Sequence, residues 1–431
     1  MMMRIFVSAL IFFLAGSVAN GQIKGMPMKF NFGTGKIPSG HTQVLATDVY
    51  SKEKGFGFEP GATVNCLARS GGNALRSDSC TSDKPFYFSA KVPEGNYKVT
   101  ITFGNTEAAT STVVKAELRR LMLDKVETAK GRLAKREFIV NVRTPEISPG
   151  VEVKLKDREK NSEQWAWDEK LTLEFNGTMP SVSSIEIEKV DVPTIFLLGD
   201  STVCDQPGEP YASWGQMITA FFGPNVAVAN HAESGESLKS SFGAKRLDKV
   251  LSLMKRGDFL LIQYGHNDEK EKGEGVGAFT TYKASLKQFV AEARKKGGIP
   301  ILVTPMHRRT FDTSGHITNS HGDYPEAVRQ AAKEENVSVI DLTVMSKELY
   351  EALGKEGSGA LFKEGDGTHH NSFGAYQLAK SIVQAIQDQK LGLGKLFLKG
   401  LPKFDPTKPD DPRLFNVPSS PAATTLKPLG S

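Results

Sequence analysis

Between about residue 29 and residue 190, apolar and polar positions alternate in short runs. Phe86-Tyr87-Phe88-Ser89-Ala90-Lys91-Val92 and Tyr97-Lys98-Val99-Thr100-Ile101-Thr102-Phe103 are two of these, parted by Pro93-Glu94-Gly95-Asn96. Residues 138–142, 171–175 and 185–188 continue the pattern. A period of two sends successive side chains to opposite faces of a strand, and Pro/Gly/Asn punctuation turns the chain between strands. Several such runs at short spacing predict an all-β sandwich over residues 22–190.

After Asp191-Val192-Pro193 the pattern changes. Continuous apolar runs at 194–198, 226–230, 259–264, 299–304 and 337–342 read as buried strands. Between them apolar residues recur at helical spacing, as in Leu247, Val250, Leu251 and Met254, or Tyr282, Leu286, Phe289, Val290 and Ala293. Strands alternating with helices predict an α/β unit over residues 191–399: a parallel sheet flanked by helices on both faces. Such sheets bind ligands outside the carboxyl ends of their strands. The join between the two units is short and stiffened by Pro193. A tether of that kind predicts that the β unit forms a wall of the site and does not swing as an independent module.

The chain ends read differently. Arg4 precedes an apolar run over residues 5–16, with Ser17 and Ala19 following. That run is too short for a hydrocarbon core, which takes about 20 residues. Residues 1–21 are therefore expected to be a signal peptide, making the protein secreted or periplasmic, with a short membrane anchor as the alternative. Residues 400–431 carry Pro402, Pro406, Pro409, Pro412 and Pro418 and predict a tail without core elements.

Composition adds little to this picture. A net charge of +5 spread over 431 residues shows no basic run dense enough for nucleic acid. Three cysteines in so long a chain exclude a disulfide-built scaffold. Cys66 and Cys80 are close enough to close a short loop, worth ~3 kcal/mol if bridged, which leaves Cys204 over.

Candidate chemistry gathers in the second unit. The run Ile195-Phe196-Leu197-Leu198 ends in Gly199-Asp200-Ser201, so a hydroxyl stands where a buried strand meets a loop. Gly235 follows the second strand in Asn230-His231-Ala232-Glu233-Ser234-Gly235, and Asn267 follows the third in Gly265-His266-Asn267-Asp268. Asp366 and His369 stand three apart in Asp366-Gly367-Thr368-His369, before a helix expected at Asn371. A serine attacks an ester only when a base takes its proton, and imidazole titrates near neutrality. A carboxylate on the second ring nitrogen fixes the tautomer. Glycine lets a backbone N–H approach a ligand closely, and an asparagine amide is a neutral donor.

In these blocks and their order the chain resembles the SGNH (GDSL) hydrolases, and more narrowly the rhamnogalacturonan acetylesterase branch of the carbohydrate esterases. The resemblance implies a flavodoxin-like sheet preceded by a jelly-roll of the galactose-binding-like kind. It implies Ser201 as nucleophile, His369 as base and Asp366 as its partner, with Ser201, Gly235 and Asn267 as oxyanion donors. No cofactor or metal is expected. The substrate implied is an acetylated polysaccharide or oligosaccharide, with rhamnogalacturonan first and xylan or another carbohydrate ester as alternatives. A carbohydrate-binding protein that has lost its activity is the reading from another class.

Other readings compete at single positions. His370 rivals His369, and Cys204 stands three residues after Ser201. No Gly-x-Ser-x-Gly elbow occurs, which argues against an α/β-hydrolase. His316 and His321 are spaced wrongly for one helical face of metal ligands. His307, Arg308 and Arg309 follow the fourth strand and should reach the active edge, where arginine could grip a carboxylate. Trp165 and Trp167 are expected to alternate on one strand face, either in a core or stacked on sugar rings.

Overall fold

The structure, a computed structural model, describes residues 27–67 and 79–421. The expected signal peptide lies outside the described residues. The β unit contains two five-stranded sheets. One runs in the order Ala134–Val142, Gly95–Phe103, Ser184–Lys189, Met28–Phe32, Thr42–Val44. The other runs Phe56–Phe58, Phe86–Lys91, Lys170–Thr178, Thr110–Ala116, Arg120–Thr128. Pairing is antiparallel apart from Met28–Phe32 with Thr42–Val44. The alternating residues face inward together: Val99, Ile101 and Phe103 meet Phe86, Phe88, Leu171, Leu173 and Phe175 in one core. Cys66 and Cys80 are joined by a disulfide.

The α/β unit is built on one five-stranded parallel sheet. Its order is Ala227–Asn230, Thr194–Gly199, Phe259–Gln263, Ile299–Val303, Ser338–Ile340. In chain order this is 2-1-3-4-5, the flavodoxin-like arrangement. The first strand explains why its run is apolar throughout. Ile195 and Leu197 enter a core with Phe373, Leu378 and Ile382 of the Ser372–Asp388 helix. Phe196 and Leu198 enter the opposite one, with Leu247 and Val250 of Arg246–Leu253 and Leu286, Phe289 and Val290 of Lys283–Lys295. Helices cover both faces, so alternation would have left one face polar against a helix.

The two units share a broad buried face. Val113 and Leu121 of the β unit belong to the core that packs under the parallel sheet. Arg119 donates to the carbonyls of Gln206 and Tyr211, both at 2.9 Å, and Gln216 donates to the Leu118 carbonyl at 2.9 Å. Among its described residues the tail forms no strand, yet it is not loose. Phe404 is buried, Phe415 packs on Phe373 and Tyr376, and Asp410 pairs with Lys380. At its far end the Ser420 hydroxyl donates to Glu174 at 2.7 Å, back on the β unit.

One expectation fails. Trp165 and Trp167 are not on a strand: Gln164–Ala166 is a single 3-10 turn, which the aromatic and charged composition there did not signal. Trp165 packs on Tyr87, while Trp167 is buried under the Arg143 guanidinium, 4.6 Å from the ring centre. No helix among the described residues is long and apolar enough to cross a membrane.

Candidate active site

Ser201 sits two residues beyond the Thr194–Gly199 strand, where the chain must turn sharply away from the sheet. Gly199 makes the turn possible: a Cβ there would lie 2.6 Å from the Gln263 carbonyl and 2.5 Å from a Val203 methyl. Asp200 then closes the turn. Its carboxylate accepts from the Thr202 N–H at 2.9 Å and the Thr202 hydroxyl at 2.7 Å. Gln263 and Trp214 brace that hydroxyl in sequence, at 2.8 Å each. The Ser201 side chain is thus buried at a fixed point.

His369 arrives from the other end of the chain. Its Nε2 lies 2.9 Å from Ser201 Oγ, and its Nδ1 lies 3.0 Å from Asp366 Oδ2. The second Asp366 oxygen accepts the N–H groups of Thr368 at 2.8 Å and His369 at 3.0 Å. Burial raises the Asp366 carboxyl, but these hydrogen bonds outweigh it and hold the group well below the ordinary carboxylate range. An ionised Asp366 requires the proton on Nδ1, which leaves Nε2 as acceptor for the serine hydroxyl. The loop ends where Asn371 caps the Ser372–Asp388 helix, accepting the Gly374 N–H at 2.9 Å.

His370 is turned away. Its Nε2 bonds the Tyr350 hydroxyl at 2.7 Å, and its ring lies 4.3 Å from that of Phe362. Burial pushes it down to about 3, so it stays neutral. Cys204 is buried with its Sγ 3.3 Å from Ser234 Oγ, and burial next to Glu233 and Glu163 pushes the thiol well up. Neither group touches the Ser201 hydroxyl.

Gly235 lies on the loop after the Ala227–Asn230 strand, with φ of +75° that disfavours any side chain. The loop is pinned beside Ser201: His231 N–H donates to Leu197 at 2.9 Å and Glu233 N–H to Gly199 at 3.1 Å. Asn267 donates from Nδ2 to the Glu236 carbonyl at 2.9 Å, joining the third strand's loop to the second's. Among the described residues, the Ser201 and Gly235 N–H groups are in no hydrogen bond with another protein group. Asn267 does not cap the short Asp268–Lys270 turn with its side chain.

Two comparisons bear on this arrangement. The profile of the GDSL-like lipase/acylhydrolase family matches residues 197–376. The galactose-binding-like domain of β-agarase/YXIM-type esterases matches residues 28–131. Among curated proteins, the rhamnogalacturonan acetylesterase RhgT of Bacillus subtilis is 40% identical over 46% of this chain and 91% of its own length. The chain belongs to the GDSL-like lipase/acylhydrolase family. Two further relatives come from the same bacterium. The uncharacterized esterase YxiM is 29% identical over 84% of this chain and 91% of its own. The probable rhamnogalacturonan acetylesterase YesY is 35% identical over 48% and 97%.

The arginines after the fourth strand are both held by neighbouring protein groups. Arg308 pairs with Glu269 at 2.5 Å and donates to the His266 carbonyl at 3.3 Å. Arg309 turns to Ser358 at 2.9 Å and to the Lys355 carbonyl, backing the Gly367 loop. Both half-buried guanidiniums thus hold loops around the site, and their spacing after the strand could not reveal these bonds. His307 is buried, and burial with His321 nearby pushes it down to about 4. Sequence reading passed over Gln206, whose amide donates to the Ser201 carbonyl at 2.6 Å. No motif marks it, because the bond is made by the fold of the loop.

Proposed function

We propose that this protein is an exported serine esterase that removes acetyl groups from a plant cell-wall polysaccharide, with rhamnogalacturonan as the substrate. The observation that carries the catalytic part is the continuous path Ser201 Oγ, His369, Asp366, at 2.9 and 3.0 Å. Ser201 Oγ attacks the acetyl carbonyl carbon while its proton passes to His369 Nε2. Asp366 stabilises the imidazolium without taking the proton. The carbonyl oxygen, now negative, is held by the N–H groups of Ser201 and Gly235 and the amide of Asn267.

Collapse of this intermediate breaks the bond to the sugar oxygen, which leaves with the proton from His369. Acetyl-Ser201 remains. His369 then takes a proton from water, the hydroxide oxygen attacks the same carbon, and acetate departs as the proton returns to Ser201. No cofactor enters either half. The choice of substrate is supported by the printed functions of RhgT and YesY, relatives at 40% and 35% identity. Export is supported by the Arg4-led apolar run at the N-terminus. Acetate released side by side from acetylated rhamnogalacturonan, xylan and mannan tests the substrate. Release from rhamnogalacturonan should be fastest, and equal or faster release from xylan overturns that choice.

A further inference from the structure

The peptide that joins Ser234 to Gly235 carries two groups of opposite use. Its N–H is the Gly235 donor assigned above to the oxyanion, and its carbonyl belongs to Ser234. In a planar trans peptide these point in opposite directions, so whatever grips the carbonyl aims the N–H. The grip comes from the β unit. Lys156 Nζ donates to the Ser234 carbonyl at 2.5 Å and lies 2.9 Å from the Glu236 carboxylate. Lys156 opens the one-turn Asp157–Lys160 helix, some eighty residues before the loop it holds.

The surrounding contacts fix that lysine in turn. The Lys154 N–H donates to the Ala244 carbonyl at 3.0 Å. Glu159 takes both ends of the buried Arg246 guanidinium, at 3.0 and 2.6 Å, and the Lys156 N–H donates to Glu159 at 2.8 Å. Arg158 lies 3.7 Å from Glu233, in the loop itself. The held loop adjoins Ser201, since one Gln206 amide nitrogen reaches the Ser201 carbonyl at 2.6 Å and Ser234 Oγ at 3.4 Å.

We propose that Lys156 is a positioning residue for the oxyanion hole, holding the Ser234–Gly235 peptide with its N–H turned toward Ser201. This rests on the esterase reading of the site. The need for such a clamp follows from Gly235, which has no Cβ to hold its φ of +75° and so leaves the adjoining peptide with other orientations to adopt. The ammonium also polarises the amide it grips, which makes the N–H on the other side a stronger donor. Glu236 offsets the charge at 2.9 Å, so the influence runs through the peptide. Through Lys156 the β unit thereby contributes to the transition state by way of the peptide it holds.

Turnover of a chromogenic acetyl ester tests this, with kcat expressed per active serine titrated to completion by a fluorophosphonate. Lys156→Met should lower kcat about tenfold, a fraction of the 10²–10³ that loss of a whole oxyanion donor costs. KM should stay within about twofold, because the contact matters most when the oxygen carries charge. Lys156→Arg, which keeps a charged donor, should recover most of the loss. A kcat equal to wild type in Lys156→Met overturns the proposal, as does a loss confined to KM or to the fraction of titratable serine. If Lys156→Met does not accumulate folded, Lys156→Gln is read with the same criteria. Wild type that fails to hydrolyse the ester at all would instead overturn the esterase reading.

Discussion

The Arg120 guanidinium lies 3.4 Å from the Asp205 carboxylate, an ion pair buried on both sides between the β unit and the loop that follows Ser201. Arg143, also from the β unit, stands 3.8 Å from the same oxygen, and Asn230 donates to the other at 2.8 Å. Burial raises the Asp205 carboxyl despite both cations, so the pair only partly repays its desolvation. Its weight shows when one member is lost. Arg120→Met should cost about 3 kcal/mol or more of stability, since a buried carboxylate loses a partner. Denaturant titration of the full chain checks this, and a midpoint equal to wild type contradicts it.

The same interface predicts cooperative unfolding. Calorimetry of the full chain should show one transition, and a fragment from residue 191 should be poorly soluble, because Val113 and Leu121 would leave the core they help to fill. Two separate transitions, with a soluble fragment fully active on polymer, would make the β unit an accessory.

Asn267→Ala should lower kcat by ~10²–10³ with a smaller change in KM, as expected for a donor that acts mainly on the charged intermediate. Steady-state kinetics on an aryl acetate decides. Raised KM with normal kcat would mean that Asn267 binds substrate and not the oxyanion.

Asp268 offers a pH test with a defined sign. Burial pushes its carboxyl up to about 8, while the Leu238 N–H at 2.9 Å pulls the other way. The folded protein therefore keeps a proton that the unfolded chain releases near the ordinary carboxylate value. Stability from this group is fully present below that value and falls as pH rises toward 8. Asp268→Asn, neutral throughout, lacks the decline. The stability of wild type minus that of the variant should decrease between pH 4 and pH 8, then level off. Denaturation midpoints across that range measure it, and a flat or rising difference would show that Asp268 is ionised in the fold.

Much of this is legible in the amino-acid sequence. Strand positions followed from local alternation at 97–103 and from the apolar run at 194–198, because burial on one or two faces leaves a mark at every residue. Strand-end placement pointed to Ser201, Gly235 and Asn267 at one sheet edge, whereas Asp366 and His369 were singled out only by the resemblance to the SGNH hydrolases, since nothing local ties residue 369 to residue 201. Contacts set by how loops fold against one another left no such mark. Lys156 and the Ser234 carbonyl, Gln206 and the Ser201 carbonyl, and Arg308 with Glu269 each join a side chain to a group whose position only the tertiary fold sets. Trp165 and Trp167 misled because alternation over three residues cannot tell a strand from a 3-10 turn.

The central claim is that Ser201, activated by His369, is the nucleophile of an acetyl esterase. Acetate release from an acetylated oligosaccharide, measured for wild type and Ser201→Ala under one set of conditions, tests it most directly. The variant should fold as wild type, by its circular dichroism and melting temperature, and lose turnover on the order of 10⁶-fold. A folded Ser201→Ala protein that still releases acetate within tenfold of the wild-type rate would contradict the account.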